Sequence, residues 1–147
     1  MYLLLSRSSS TNMLTLTRVF LPASDIPSFV GKGNVDLGIT GHDVILEAEM
    51  ENLVTEELRL GFGKCSLQVQ VPEASSIMRV EDLVGKRIVT SFEVLVGQFF
   101  ESLDNKFSGD KKTQIDYVGG SVEAACALGL ADGIGAFTIF IFVFIIF

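Results

Sequence analysis

The chain has 147 residues, a net charge of −7 and an isoelectric point near 4.6. It is long enough to bury a real core, and with no Lys/Arg cluster it is not built to grip a nucleic-acid phosphate backbone. Two separated cysteines, Cys65 and Cys126, and a lone His42 assemble none of the usual metal-ligand spacings and suit a reducing compartment.

The opening "MYLLLSRSSSTNM" lacks the basic region, the apolar length and the small-residue cleavage site of a signal peptide. "LTLTRVF" (14–20) reads as a strand. "PASDIPSFVGKG" reads as a helix, with Pro22 near its start and Gly31 and Gly33 closing it. "VDLGIT" (35–40) is a second strand and "GHDVILEAEM" a second helix. The acidic span 47–64 has no clear period; it reads as a solvated face and marks a join between two lobes. "SLQVQV" (66–71) alternates with period two until Pro72 stops it, and is expected as a strand crossing between the lobes. "RVEDLVG" gives a short helix closed by Gly85. "RIVT" is a strand, "SFEVLVGQFFESL" an amphipathic helix, "QIDYV" (114–118) a strand, "SVEAACALG" a helix, and "ADGI" the start of one more strand. Strands alternating with helices predict an α/β fold with mostly parallel sheets.

The chain then changes character. Residues 137–147, "FTIFIFVFIIF", contain only Phe, Ile, Val and one Thr. The run is short of the ~20 apolar residues a membrane helix needs. Its composition predicts an extended strand prone to self-pairing.

Three strand-to-helix junctions carry small polar residues: "GITGHD" (38–43), "VTSFE" (89–93) and "VGGSVE" (118–123). Ligands of α/β sheets bind at the C-terminal ends of strands, and a helix N-terminus suits an anion. Each junction also has a purely structural reading. Thr40 with Asp43 fits a capping box, Ser91 and Ser121 are ordinary N-caps, and Glu123 stabilises a helix dipole. Three such junctions in one small sheet favour a site for several phosphates. Asp132, at a strand start where Asp is disfavoured, points to a functional or turn role. His42, Lys32 and Lys64 read as surface residues.

Together, "VFLPASDIPSFVGKGNVDLGITGHDVI", "LGFGKCSLQVQVP", "VEDLVGKRIVTSF" and "YVGGSVEAACALGLADGI" resemble the ATP phosphoribosyltransferases, over residues 18–134. The resemblance implies a two-lobed, periplasmic-binding-protein-like fold, incomplete here: 1–63 a partial first lobe with 1–17 poorly matched, 64–136 the second lobe, 137–147 an aberrant tail. It implies a cytoplasmic pentosyltransferase of histidine biosynthesis. That enzyme joins ATP to phosphoribosyl pyrophosphate, which carries Mg2+, and releases pyrophosphate. Family members form homo-oligomers, with no nucleic-acid or membrane partner. By the same resemblance Glu123 and Asp132 are the catalytic residues. Gly38, Thr40, Gly41, Ser91, Gly120 and Ser121 contact substrate.

Where the family pattern has Asp two residues past Ile134, this chain has Ala136. The apolar tail stands where the family's "ESGxT" phosphate loop belongs, and reads as a translated non-coding stretch or a wrongly assigned exon end. The family's opening strand and C-terminal regulatory domain have no counterpart here. The expectation is therefore an enzyme of this family that forms no product as written. The alternative is a non-catalytic nucleotide or small-molecule binding module of the periplasmic-binding type.

Overall fold

The computed structural model describes residues 2–10, 13–107 and 111–139. The chain divides into two compact units, residues 1–60 and 61–147.

The first unit opens with a hairpin. Strand β1 (Tyr2–Ser10) pairs antiparallel with β2 (Met13–Leu21), in a register running from Ser10 opposite Met13 to Tyr2 opposite Leu21. The chain passes through a 3-10 turn, Ala23–Asp25, into helix α1 (Ile26–Gly31), where Pro27 occupies the first turn, the position in which its missing N–H costs nothing. The short β3 (Leu37–Gly38) adds to the free side of β1, and α2 (His42–Glu47) follows. Both pairings of β1 in this unit are antiparallel; β2 follows β1 directly, whereas β3 reaches the other side of β1 after helix α1. Among the residues whose side chains are described in this unit, Ile26 and Val35 form a buried cluster, with Leu21 and Val30 against them.

The second unit holds a four-stranded sheet in the order β4-β7-β5-β6, formed by β4 (Cys65–Gln70), β5 (Arg87–Thr90), β6 (Gln114–Tyr117) and β7 (Gly133–Ile139). Both pairings of β5 are parallel, and β4 runs antiparallel to β7. "SLQVQV" is thus an edge strand of this sheet. From β5 the chain steps to β6 through helix α3 (Glu93–Phe107). It then returns across β5 to β7 through α4 (Val122–Ala127). Crossovers of one hand that step in opposite directions place their helices on opposite faces, and the core has this form. Ile88 packs with Leu83, Val96 and Phe100 on the α3 face. Its neighbour Val89 packs with Val122, Ala125, Ala131 and Ile134 on the α4 face. Period-two alternation in "RIVT" thus feeds both layers. Spacing fits as well: Val96 and Phe100 are four apart on α3, and Val122 and Ala125 three apart on α4. Gly129 (φ +70°) ends α4, and its backbone form lets the Leu130 N–H reach back to the Ala125 carbonyl at 2.8 Å.

The tail does not begin where the composition changes. Phe137, Thr138 and Ile139 continue β7 opposite Leu67, Ser66 and Cys65. The strand therefore runs through the boundary drawn at residue 136. The remainder of the apolar run, 140–147, lies outside the described residues.

Candidate functional site

Two parallel strand ends meet in the second unit. The Thr90 carbonyl, at the end of β5, accepts the Val118 N–H at 2.9 Å. Ser91 and Gly119 therefore follow on adjoining strand ends. On the other side of β5, Thr90 stands opposite Gly135 of β7, so Ala136 comes next at the same edge. Helices α3 and α4 depart from here to opposite faces, the crevice where open α/β sheets receive ligands.

The turn into α3 is fixed by Thr90. Its hydroxyl accepts the Phe92 N–H at 2.9 Å, and the Phe92 carbonyl accepts the Val96 N–H at 3.0 Å to start the helix. The turn into α4 passes through exposed Gly119 and Gly120 to Ser121, which adopts φ 49°, ψ 40°. A left-handed conformation in a residue with a Cβ costs about 1–2 kcal/mol and is found where surroundings impose it. Ser121 stands at the N-cap position, yet its side chain makes no capping bond, so the hydroxyl is not consumed by the helix. Glu123 is exposed one turn-position on, without an ion pair among the described residues. Backbone N–H groups and two serine hydroxyls suit an anionic ligand; a free carboxylate repels phosphate but accepts from a sugar hydroxyl.

Asp132 is not at this edge. It precedes β7, and its backbone N–H donates to the Arg87 carbonyl at 2.9 Å. Its carboxylate accepts the Arg87 N–H at 3.0 Å and stands 3.7 Å from the Arg87 guanidinium. Arg87 also donates to the Gly129 carbonyl at 3.2 Å. Asp132 clamps the starts of β5 and β7, about 10 Å along the strands from the serine-bearing end at ~3.3 Å per residue. The Cys126 thiol, packed against the α4 core, is pushed up in pKa by burial and then by the charge of Asp132.

In the first unit, Gly38, Thr40 and Gly41 lie along the β3–α2 junction. The capping box expected of Thr40 and Asp43 is absent. Gly41 is the N-cap of α2 and no side chain caps it, because Thr40 donates instead to the Ala23 carbonyl at 3.4 Å. The Asp43 carboxylate lies where a Cβ on Gly41 would fall. His42 is exposed, 4.0 Å from the Glu56 carboxylate. No group of three His, Cys, Asp or Glu side chains suited to a metal occurs among the described residues, and none of their helices is long and apolar enough to cross a membrane.

Sequence reasoning missed Thr90 and Arg87. The signal for Thr90 was a hydroxyl ending an otherwise apolar strand just before Ser91. Arg87 gave none, since its partner is set by strand register.

The sequence profile of the family described as HisG: ATP phosphoribosyltransferase matches residues 22–138. The ATP phosphoribosyltransferase of Debaryomyces hansenii is 56% identical over 126 residues, 85% of this chain and 41% of the relative. That of Schizosaccharomyces pombe is 53% identical over 131 residues, 82% of this chain and 42% of the relative. The chain thus spans about two-fifths of the length of these curated relatives. Among solved structures, the ATP phosphoribosyl transferase (HisG:HisZ) complex from Thermotoga maritima superposes with a TM-score of 0.66 at 26% identity, covering 82% of this chain and 54% of that one.

Proposed function

Because the chain belongs to the ATP phosphoribosyltransferase family, we propose that its residues serve the condensation of ATP with phosphoribosyl pyrophosphate in histidine biosynthesis. The observation that carries the reading is that Ser91 and the strained 119–121 turn follow adjoining parallel strand ends, with Glu123 in the first turn of α4 just beyond. In this reaction the adenine N1 lone pair forms the bond to ribose C1, and the C1–O bond breaks with its electrons leaving on pyrophosphate. Little covalent chemistry falls to the protein, so its task is positioning and charge stabilisation. Ser91, Gly120 and Ser121 donate to substrate phosphate. Glu123 accepts from a ribose hydroxyl and fixes the sugar. Magnesium arrives with the substrate and neutralises the leaving group. Gly38, Thr40 and Gly41, on the β3–α2 junction of the first unit, are assigned to substrate contact by the family resemblance alone. Asp132, engaged with Arg87 at the opposite edge, holds strand register in this reading.

Ala136 stands at the site edge where the family pattern has Asp, so one contact to substrate is lost. The apolar run also stands where the family pattern has its phosphate loop, and the loss of several such contacts, each worth about a factor of ten or more, leaves this chain as written without detectable phosphoribosyl-ATP. A cytoplasmic homo-oligomer is the corresponding cellular form. The test is a chimera in which residues 22–134 of this chain replace their counterpart in the Schizosaccharomyces pombe relative. Product dependent on both substrates and abolished by Glu123→Ala is expected; a folded chimera without product contradicts the proposal.

A further inference from the structure

We infer that Thr90 is a positioning residue that sets the geometry of the phosphate-binding edge, a role that rests on the site reading above. Thr90 is fully buried, the one polar residue in the core among the described residues. Its hydroxyl is used in both directions: it donates to the Gly135 carbonyl at 2.8 Å and accepts from the Phe92 N–H at 2.9 Å. Its backbone carbonyl takes the Val118 N–H at 2.9 Å. One residue therefore ties β5 to β6, to β7 and to the entry of α3. Each tie lies next to a site element. Phe92 follows Ser91, Val118 precedes the 119–121 turn, and Gly135 precedes Ala136. A valine of nearly the same shape would fill the space and keep the backbone bond to Val118, but it would lose both hydroxyl bonds, leaving the Phe92 N–H without its acceptor and the Gly135 carbonyl without that donor. The hydroxyl itself is enclosed and does not reach ligand, so it acts through Ser91 and the two neighbouring strand ends.

The test compares Thr90→Val with Thr90→Ser in the full chain, using magnesium pyrophosphate as the probe. Affinity is measured by calorimetry, and the Ser91, Phe92, Gly119, Gly120, Ser121 and Ala136 amide resonances are followed by NMR. Both are recorded at a temperature where each variant is fully folded. Thr90→Val should weaken pyrophosphate binding about tenfold, the effect of one hydrogen bond to the charged ligand lost from a displaced Ser91, and shift those resonances. Thr90→Ser should keep both affinity and shifts near those of the unchanged chain. Unchanged affinity in Thr90→Val, or an equal loss in Thr90→Ser, overturns the inference, since the methyl group and not the hydroxyl would then matter. Thr90→Cys, similar in volume and a weak hydrogen-bonding group, serves if the valine variant does not fold. Rapid exchange of the Phe92 amide with solvent in the unchanged chain would also overturn it. If that chain binds no pyrophosphate at all, the site reading fails, and the resonance comparison alone decides whether Thr90 positions the edge.

Discussion

Phe137 meets Phe92 edge-on, with ring centroids 4.6 Å apart and planes inclined at 69°. The first residue of the apolar tail is therefore packed against the turn that enters α3. Phe137→Ala should lower stability by about 1–3 kcal/mol, part of the cost of removing a core aromatic, with Phe137→Leu milder. Urea unfolding measures this; equal midpoints would show that the ring contributes nothing.

The tail should divide functionally at Ile139. A chain ending there keeps all of the β4–β7 ladder, whereas one ending at Ala136 loses the pairs to Leu67, Ser66 and Cys65. The shorter chain should be less stable than the longer. Removal of 140–147 alone should raise soluble yield, because that run is uncharged, free of proline and rich in β-formers. Equal stability of the two truncations, or no gain in yield, would count against this division.

Gly135 is required by close approach. A Cβ there would lie 2.7 Å from one methyl of Val96 and 3.1 Å from the other. Gly135→Ala should cost about 1–3 kcal/mol through overpacking, and combining it with Val96→Ala should cost less than the sum of the two changes. A double-mutant cycle in thermal unfolding reads the coupling; strict additivity would place the two residues out of contact.

Much of the second unit was legible from sequence because its signals are local. Period two in 66–71, the four-residue "RIVT" and the apolar spacing of α3 each name an element without reference to the rest. Strand β1 was not legible: Ser-rich "SRSSS" carries no alternation, and its extended form comes from pairing with β2. The junction residues of the site could be read as strand-to-helix turns. Their sorting could not, because Asp132 is separated from Ser91 and Glu123 by the parallel register of β5 and β7, a long-range property. The left-handed Ser121 was likewise unreadable, since nothing in "GGSVE" says which of three small residues carries the positive φ.

Asp132 and Glu123 should separate by readout. Asp132→Asn should reduce stability modestly, by about 0–1 kcal/mol for a partly exposed pair, and leave affinity for magnesium pyrophosphate within about twofold. A large affinity loss at unchanged stability would return Asp132 to the binding site.

The raised Cys126 pKa, caused first by burial and then by Asp132, gives a pH dependence with a definite sign. The folded state holds the thiol neutral more strongly than the unfolded state does. This contribution is therefore fully present below the ordinary thiol pKa of 9.0 and is lost as pH rises through the higher folded value. In a Cys65→Ser background, alkylation of Cys126 by iodoacetamide at pH 8.5 should be slower in the folded chain than in urea. Equal rates would mean that the fold gives the thiol no such environment.

Substrate phosphate should land on the serine-bearing strand ends and not on the Arg87–Asp132 edge. Titration of the isotopically labelled chain with magnesium phosphoribosyl pyrophosphate, followed by amide resonances, tests this directly. The expected result is saturable shifts at Ser91, Gly119, Gly120, Ser121 and Glu123, with Arg87 and Asp132 undisturbed. No saturable shifts, or shifts gathered around Arg87 and Asp132, would contradict the assignment of the phosphate site to the C-terminal edge of the parallel strands.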